Sequence, residues 1–351
     1  MKTTTSAPPV RTRTGSVGAY MSVQSVDAVR AARDIAGHVT VAGEPGLRVL
    51  TALAKSGDLA GVDLDPAQYV VREKRAALFP IDWEQIQRKL HLPVVRSEGV
   101  YAHDATSLRS AMTTGIASGS VRVVSLHEAF LRGARLQDLL AAVRNSEDAL
   151  AFTFAAAMDP FANAGAIDGL RALLEASDAR ERRVELLRTD TTGVAFAALG
   201  GALGAIGLST SVRHHGLPLG RRAGEAHKQR QGSPLAFVRP LLSWQRGTQL
   251  GALTPFGGAG VTACECFACD GRDLLRFDRT WSSGSVPAEV RSDARLHDVA
   301  TWLALSREVL SAENPVAAWR GACQAAANTA GALESTYKVA LVVPPSVLQW
   351  T

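Results

Sequence analysis

The chain has 351 residues, of which 46% are hydrophobic and 20% charged, with a formal charge of +5. These proportions are those of folded globular proteins and exclude a disordered chain, a collagen and a coiled-coil rod. At about 150 residues per domain, the length predicts two domains, or one large α/β barrel with a small appendage. The N-terminus lacks the apolar core of a secretory signal, and no apolar run suffices for a membrane span, so we expect a cytoplasmic protein with no membrane contact.

Strand and helix patterns alternate along most of the chain. Residues 1–20 are rich in Thr, Ser, Pro and Gly, which predicts a disordered tail. After them, short β-rich runs alternate with amphipathic helical runs. The predicted strands are 38–42, 60–64, 93–96, 120–125, 150–155, 184–189 and 203–208. The predicted helices between them are 46–55, 83–89, 105–114, 136–144, 164–176 and 194–201.

This alternation predicts the fold. Repeated strand–helix units favour a parallel sheet, either doubly wound or closed into a barrel. Even spacing favours a (β/α)8 TIM barrel over residues 21–262, with its eighth strand within 235–262. No glycine-rich phosphate-binding turn follows the first strand, which weakens a dinucleotide-binding interpretation. Residues 263–351 then form a small subdomain with C-terminal helices.

Three of the four cysteines, Cys264, Cys266 and Cys269, lie within six residues of one another. Thiols so close in sequence rarely form a disulfide, whereas tight cysteine clusters often supply two or three of the four tetrahedral ligands of zinc. His297, at the start of an apparent helix over 294–310, is the predicted fourth ligand. Four protein ligands close the site and make the zinc structural. A redox cluster and a chance grouping are the alternatives.

The positive charge is concentrated in one segment. Residues 213–246 contain seven Arg or Lys and one acid, Glu225. Clustered basic residues favour phosphate-bearing partners through charge and counterion release, and loops after the late strands of a barrel often hold phosphate. The segment therefore predicts nucleic-acid binding through Arg213, Arg221 and Arg222. A solvated polar loop, with arginine usage set by a GC-rich genome, is the alternative.

Polar side chains after the strands of a barrel are candidates for its active site. Asp159 follows the fifth predicted strand and Asp190 follows the sixth. A buried carboxylate in such a place can act as a nucleophile or a general base, although a helix cap or a turn explains either residue as well. Ser209, Arg213 and His214 follow the seventh predicted strand and can offer a hydroxyl, a guanidinium and an imidazole to one ligand.

The sequence Cys264-x-Cys266-x-x-Cys269, with the later Ala-Arg-Leu-His297, resembles the zinc subdomain of the tRNA-guanine transglycosylases over residues 264–310. That family exchanges a guanine in nucleic acid for a deazapurine, through an aspartate nucleophile and a covalent intermediate, on a (β/α)8 barrel. The resemblance implies this fold, structural zinc as cofactor, and tRNA or DNA as partner.

Two motifs of that family differ here. The Ser-Gly-Gly-Phe-Gln loop that contacts the base has its nearest counterpart at 96–104, which keeps Ser97 and Glu98 as implied substrate contacts. The family's nucleophile segment is missing, because residues 247–262 contain no acid. If the chain is an enzyme, Asp159 or Asp190 is left as the nucleophile.

Three functions remain open from the sequence. We expect a transglycosylase-like enzyme that flips a base of tRNA or DNA into the barrel mouth and exchanges it. The alternatives are a non-catalytic zinc-containing subunit of the same fold, which binds nucleic acid or a partner, and an unrelated barrel enzyme acting on a small phosphorylated substrate. The apolar last helix is compatible with a homodimer or a heterodimer.

Overall fold

The computed structural model describes residues 15–22, 25–70, 81–178, 182–216, 232–281 and 285–351. Within them, eight parallel strands form one curled sheet, and long helices follow toward the C-terminus. The strands of this sheet are β1 Ser16–Met21, β2 Val39–Ala42, β3 Val62–Asp65, β4 Val100–Ala102, β5 Val121–His127, β6 Ala149–Ala156, β7 Val184–Thr189 and β8 Leu203–Gly207. Three further strands are β9 His215–Gly216, which pairs with β6, and the hairpin of β10 Leu235–Val238 and β11 Ser243–Arg246.

Helices connect the parallel strands and make up most of the C-terminal part. The helices that follow β1 to β8 are α1 Val26–Ala36, α2 Gly43–Lys55, α3 Trp83–Lys89, α4 Ala105–Thr113, α5 Gly133–Asn145, α6 Ala166–Asp178, α7 Thr192–Ala198 and α8 Thr210–Arg213. The later ones are α9 Gly247–Leu250, α10 Ala288–Ser311, α11 Pro315–Tyr337 and α12 Pro345–Leu348. No described helix combines the length and apolar character needed to cross a bilayer.

The strands are ordered β3-β2-β1-β8-β7-β6-β5-β4. In the described residues no backbone pairing joins β3 to β4, so the sheet remains open at this point. Its curl nevertheless brings the two edges together. Arg96, just before β4, reaches Asp63 of β3 through Nη1 at 2.7 Å. The edges therefore meet through a buried ion pair instead of a backbone ladder.

The structure corrects two sequence predictions about the barrel. Residues 16–20, assigned to the disordered tail, belong to β1, which lies between β2 and β8. The eighth parallel strand is Leu203–Gly207, whereas the region 235–262 begins with an antiparallel hairpin outside the sheet. The physical reason is the connection: the four residues between β10 and β11 allow only an antiparallel return, since a parallel pair needs a long crossover.

The helix boundaries follow from local chemistry. Ser25 caps α1 by accepting a hydrogen bond from the backbone N–H of Ala28, and Gly37 ends the helix with a φ of 74°. Asp104 caps α4 through a capping box. The predicted strand 93–96 is displaced, because in that segment only Arg96 pairs with β5, and β4 begins at Val100.

Three apolar cores support the described part of the chain. The largest lies between the outer face of the sheet and the helices that cover it, including α10 and α11. A second fills the concave face, with members such as Tyr20, Val123 and Leu187. The third surrounds the hairpin and includes Cys264 and Cys269. The cysteine region thus has a core of its own beside the sheet.

Candidate metal centre and reaction site

Cys264, Cys266 and Cys269 come together with His297 in the C-terminal part of the chain. The cysteines lie in the loop after the turn at Gly251–Gly260, and the histidine lies on α10. Nδ1 of His297 is 3.4, 3.5 and 3.1 Å from the Sγ atoms of Cys264, Cys266 and Cys269. His297 is fully buried, and of the three cysteines only Cys266 is partly exposed. The four residues that the sequence spacing predicts as a cluster do form one.

The donor set and its spacing fit one tetrahedral metal ion. With metal–sulfur distances of about 2.3 Å and metal–nitrogen distances of about 2.0–2.1 Å, a tetrahedron places its nitrogen about 3.5 Å from each sulfur. The distances from Nδ1 of His297 are at this value or slightly below it. Nε2 of the same ring lies 2.8 Å from the carbonyl oxygen of Phe237, so Nε2–H donates there and the Nδ1 lone pair points at the thiols.

The surroundings of this cluster are those of a structural site. Nη2 of Arg276 donates to Sγ of Cys269 at 3.0 Å. Asp298, next to His297 on α10, accepts hydrogen bonds from the backbone N–H of Phe237 at 2.6 Å and from Nε1 of Trp244 at 2.8 Å. The protein supplies all four ligands, and none of the tetrahedral positions is left for a substrate. The cluster can therefore hold a metal ion that joins α10 to the loop of the three cysteines.

A second cluster lies at the carboxyl ends of β6, β7 and β8. Asp159 follows β6, Asp190 directly follows β7, and His214 directly precedes β9. One oxygen of each aspartate and a ring nitrogen of His214 lie within 4.8 Å of one another. Oδ2 of Asp190 is 3.5 Å from Nε2 of His214. The carboxyl ends of parallel strands share one edge of the sheet, which explains why three residues chosen from separate strands meet.

Backbone N–H groups orient both aspartates. In each case the N–H two residues further on donates to Oδ1, at 2.9 Å for Asp159 and at 2.8 Å for Asp190. These hydrogen bonds are those of a turn, the structural role that is the alternative to catalysis for each aspartate. Oδ2 of Asp159 also accepts from the backbone N–H of Ser346 at 3.2 Å, in the C-terminal tail, while Oδ2 of Asp190 faces His214. Each aspartate thus forms a turn and also belongs to the cluster.

The environment shifts the pKa values of the two aspartates in opposite directions. Burial and the charge of Asp190 raise the pKa of Asp159. Burial also acts to raise the pKa of Asp190, but the hydrogen bond and charge of His214 outweigh it, and this pKa is lowered. For His214, burial acts to lower the pKa, and the two aspartates outweigh burial and raise it. Opposite shifts in neighbouring carboxyl groups are typical of an acid paired with an anionic partner.

Replacing His214 with glutamine is expected to alter the pH dependence of stability. Because the pKa of His214 is raised above 6.5 in the folded state, its charge stabilises the fold fully below about pH 6.5. That contribution is lost as the pH rises through the raised value. Urea denaturation gives the free energy of unfolding of the wild type and of His214→Gln. The difference between the two should therefore shrink between about pH 6 and pH 9. An excess that stays constant over this range, or an equal change in the exposed control His103→Gln, contradicts the role of the pair.

The other predicted substrate contacts are placed apart. Ser97 is buried, and its Oγ accepts a hydrogen bond from the backbone N–H of Val123 at 2.9 Å. Glu98 is exposed beside it. Ser209 begins α8, with its Oγ 3.1 Å from that of Ser211. Ser97 therefore holds the sheet together, and only Glu98 and Ser209 present side chains toward solvent.

Arg213 is buried, and its guanidinium is occupied by contacts within the chain. Its guanidinium carbon lies 3.6 Å from the centroid of the Trp244 ring, and its Nε donates to the carbonyl oxygen of Gly207 at 3.1 Å. Burial lowers the pKa of Arg213 to about 10. These contacts connect the end of β8 to the hairpin. Arg221 and Arg222 lie outside the described residues, so their predicted role in phosphate binding stays a prediction.

A third group of polar side chains lies on the concave face of the sheet and was not selected from the sequence. Oδ2 of Asp65, at the end of β3, accepts hydrogen bonds from the hydroxyls of Tyr20 and Tyr69, each at 2.6 Å. Oγ of Ser125 is 2.8 Å from Nδ1 of His215. Burial and the charge of Asp65 raise the pKa of both tyrosines, so they remain donors. The position of Asp65 after a strand is a usable signal, whereas Tyr20 lies in the strand that the composition assigns to the tail.

No family model, no curated protein and no solved structure matches the chain. The resemblance to the transglycosylases therefore depends on residues 264–310, in which the three cysteines and His297 form one cluster. Since a fold alone does not define a function, the function has to be argued from the chemistry of the two clusters.

Proposed function

We propose that the protein is a transglycosylase-like enzyme that exchanges a base in nucleic acid, on a (β/α)8-type barrel stabilised by structural zinc. The observation that carries the proposal is the meeting of Asp159 and Asp190 at the carboxyl ends of β6 and β7, with oxygens within 4.8 Å. This edge of a parallel barrel is where active sites lie. The resemblance of residues 264–310 to the family's zinc subdomain supports the same reaction class.

The separation of the two carboxylates favours a covalent intermediate. In enzymes that cleave bonds at a sugar C1 atom, carboxyl groups about 5–5.5 Å apart act as nucleophile and acid, whereas about 6.5–9.5 Å leaves room for a water molecule between them. One oxygen of Asp159 lies within 4.8 Å of one oxygen of Asp190, which is nearer to the shorter of these two arrangements. Displacement by an aspartate, followed by attack of a second base, is the reaction that this spacing supports.

In the proposed reaction Asp190 is the nucleophile, because its lowered pKa keeps it ionised. Its oxygen attacks C1′ of the sugar, the bond from C1′ to the base breaks, and the leaving base takes the proton of Asp159, whose pKa is raised. The incoming base then attacks C1′ and gives its proton to Asp159. The ester bond breaks and Asp190 is released as a carboxylate, so atoms and charge balance. His214 orients Asp190 through its contact at 3.5 Å.

Zinc is the metal that the Cys264, Cys266, Cys269 and His297 site favours, because three thiolates and one imidazole in a tetrahedron match its preferences. A metal held by four protein ligands supplies folding free energy. Nucleic acid as the carrier of the base is supported by the basic segment 213–246, although residues 217–231 of it lie outside the described part.

The proposal is tested by base exchange with the purified chain. Labelled guanine is supplied with tRNA or with duplex DNA, and denaturing mass spectrometry looks for a sugar-linked adduct on the protein. The wild type is expected to exchange base, and Asp190→Asn to lose the adduct and at least about a thousandfold in rate, as nucleophile removal does elsewhere. Asp168→Asn, at an exposed site on α6, is the matched control and should behave as the wild type.

A non-catalytic subunit of the same fold is the second candidate. One observation favours it: both oxygens of Asp159 already accept backbone N–H groups, from Phe161 and Ser346, as a purely structural aspartate would. If the wild type shows neither exchange nor adduct with either nucleic acid while it still binds them, this candidate replaces the enzyme.

A further inference from the structure

Arg188 is a buried arginine presented by an irregular strand end. It lies at the carboxyl end of β7, where the register with β8 shifts between Leu186 and Thr189. Its φ of 54° is in the left-handed region, which a residue other than glycine rarely adopts. Bulges of this kind redirect a side chain, and strained backbone tends to collect at ligand sites. The side chain turns onto the concave face, with its guanidinium carbon 5.7 Å from the centroid of the Tyr20 ring.

The charge of Arg188 lacks an acidic partner among the residues that the structure describes. Only 7% of the residue is exposed, yet no carboxylate oxygen of that part of the chain lies within 4.0 Å of its guanidinium. The acid whose charge acts on it is Asp65, whose oxygens accept from Tyr20, Tyr69 and the N–H of Ala67. The Nε of Arg188 is buried with no hydrogen-bond partner. Buried guanidinium groups are nearly always paired, and the described residues supply no carboxylate for this one, which leaves its charge available to an anion.

The neighbours of Arg188 define the kind of partner. Its Nη2 donates to the carbonyl oxygen of Ser211 at 2.7 Å, so the guanidinium lies beside the loop after β8. The same loop carries the hydroxyls of Ser209 and Ser211, whose oxygens are 3.1 Å apart and partly exposed. Ser209 precedes α8 but its side chain caps no backbone N–H. One guanidinium and two hydroxyls that are hydrogen-bonded to each other form a donor set for an anion with several oxygens.

We infer that Arg188, Ser209 and Ser211 form a phosphate-binding site between the ends of β7 and β8. Guanidinium groups bind phosphate oxygens through paired, charge-assisted hydrogen bonds, and hydroxyls complete such sites. The ends of the seventh and eighth strands are also where barrels commonly bind phosphate. The site uses none of the residues assigned to base exchange and stands independently of that proposal. The phosphate comes either from a small molecule or from a nucleic-acid backbone.

The test measures thermal unfolding of the full chain against inorganic phosphate, with chloride at equal ionic strength as reference. Phosphate is expected to raise the melting temperature of the wild type. Arg188→Met should weaken the apparent affinity at least about tenfold, as expected when a charged hydrogen-bonding group is lost. Arg171→Met, at a partly exposed arginine on α6, is the matched control and should keep the wild-type response.

The outcomes separate this site from a structural role of Arg188. Without phosphate, Arg188→Met should melt no lower than the wild type, because an unpaired buried charge is removed. No phosphate-specific rise in the wild type, or an equal rise in Arg188→Met, overturns the inference. If Arg188→Met does not fold, Arg188→Lys, which lacks the two-pronged donor, should still weaken phosphate binding. The titration is then repeated with a nucleoside monophosphate and with a single-stranded oligonucleotide. The ligand that binds more tightly than free phosphate identifies the source of the phosphate group.

Discussion

Replacing Cys269 with serine is expected to remove the metal and to destabilise the C-terminal part of the chain. Cys269 is fully buried, and its Sγ makes the shortest contact with Nδ1 of His297, 3.1 Å. Structural zinc contributes about 10–16 kcal/mol of apparent binding free energy in small zinc domains. Losing even part of this should lower the free energy of unfolding by at least about 4 kcal/mol, since the same core holds the hairpin to α10. Metal analysis and calorimetry on one preparation measure both effects.

Cys323→Ser is the matched control for this experiment. Cys323 is also fully buried, but it lies on α11, away from the cluster. Burying a hydroxyl there should cost about 1–3 kcal/mol and leave one metal ion per chain. A metal content in Cys269→Ser equal to that of the wild type would remove Cys269 from the ligand set. Equal metal loss in both variants would show that the ion is held elsewhere.

The Cys3His cluster is predicted from sequence as a cluster, whereas Asp159 and Asp190 are predicted only as separate candidates at strand ends. Three cysteines within six residues favour a shared metal ion over a redox cluster or chance, and His297 is predicted as the fourth ligand. The predicted helix start at 294 is wrong, because α10 begins at Ala288 and places His297 within the helix. Asp159 and Asp190 each follow an apolar strand, and parallel strands end at one edge. The distance between the two carboxylates and the opposite shifts of their pKa values depend on side-chain packing, which cannot be inferred from the spacing of residues along the sequence.

The basic residue at the end of β7 could not be chosen from sequence. Arg188 lies within the predicted strand 184–189, where alternation alone does not mark it, whereas Arg213 follows the predicted strand 203–208. In the fold, Arg213 stacks on Trp244, a residue of the hairpin, and is committed to the protein. Arg188 faces the concave side only because a bulge shifts the register of β7 by one position. A shift of this size reverses the face of every following side chain and leaves no mark in composition or periodicity.

The contact between the two edges of the open sheet depends on a buried ion-pair network that periodicity does not reveal either. Arg96 is fully buried, and besides its contact with Asp63 its Nη2 lies 2.6 Å from Oε2 of Glu185 on β7. Burial acts to raise the pKa of Asp63, but the charges of Arg96 and His38 lower it, so the carboxylate stays ionised. One guanidinium therefore forms ion pairs with two buried carboxylates and spans the gap between β3 and β4.

Arg96→Met is accordingly expected to lower the free energy of unfolding by about 3–5 kcal/mol, because it removes the fully buried cation that Asp63 and Glu185 share. Arg183→Met is the matched control: Arg183 pairs with Oε1 of the same Glu185 at 2.7 Å, but its side chain is 46% exposed. An exposed pair contributes about 0–1 kcal/mol. Urea denaturation of both variants at neutral pH compares them. Similar losses of unfolding free energy in the two variants would mean that the ion pairs of Arg96 contribute no more than an exposed pair. The two edges of the sheet would then be held by apolar packing alone.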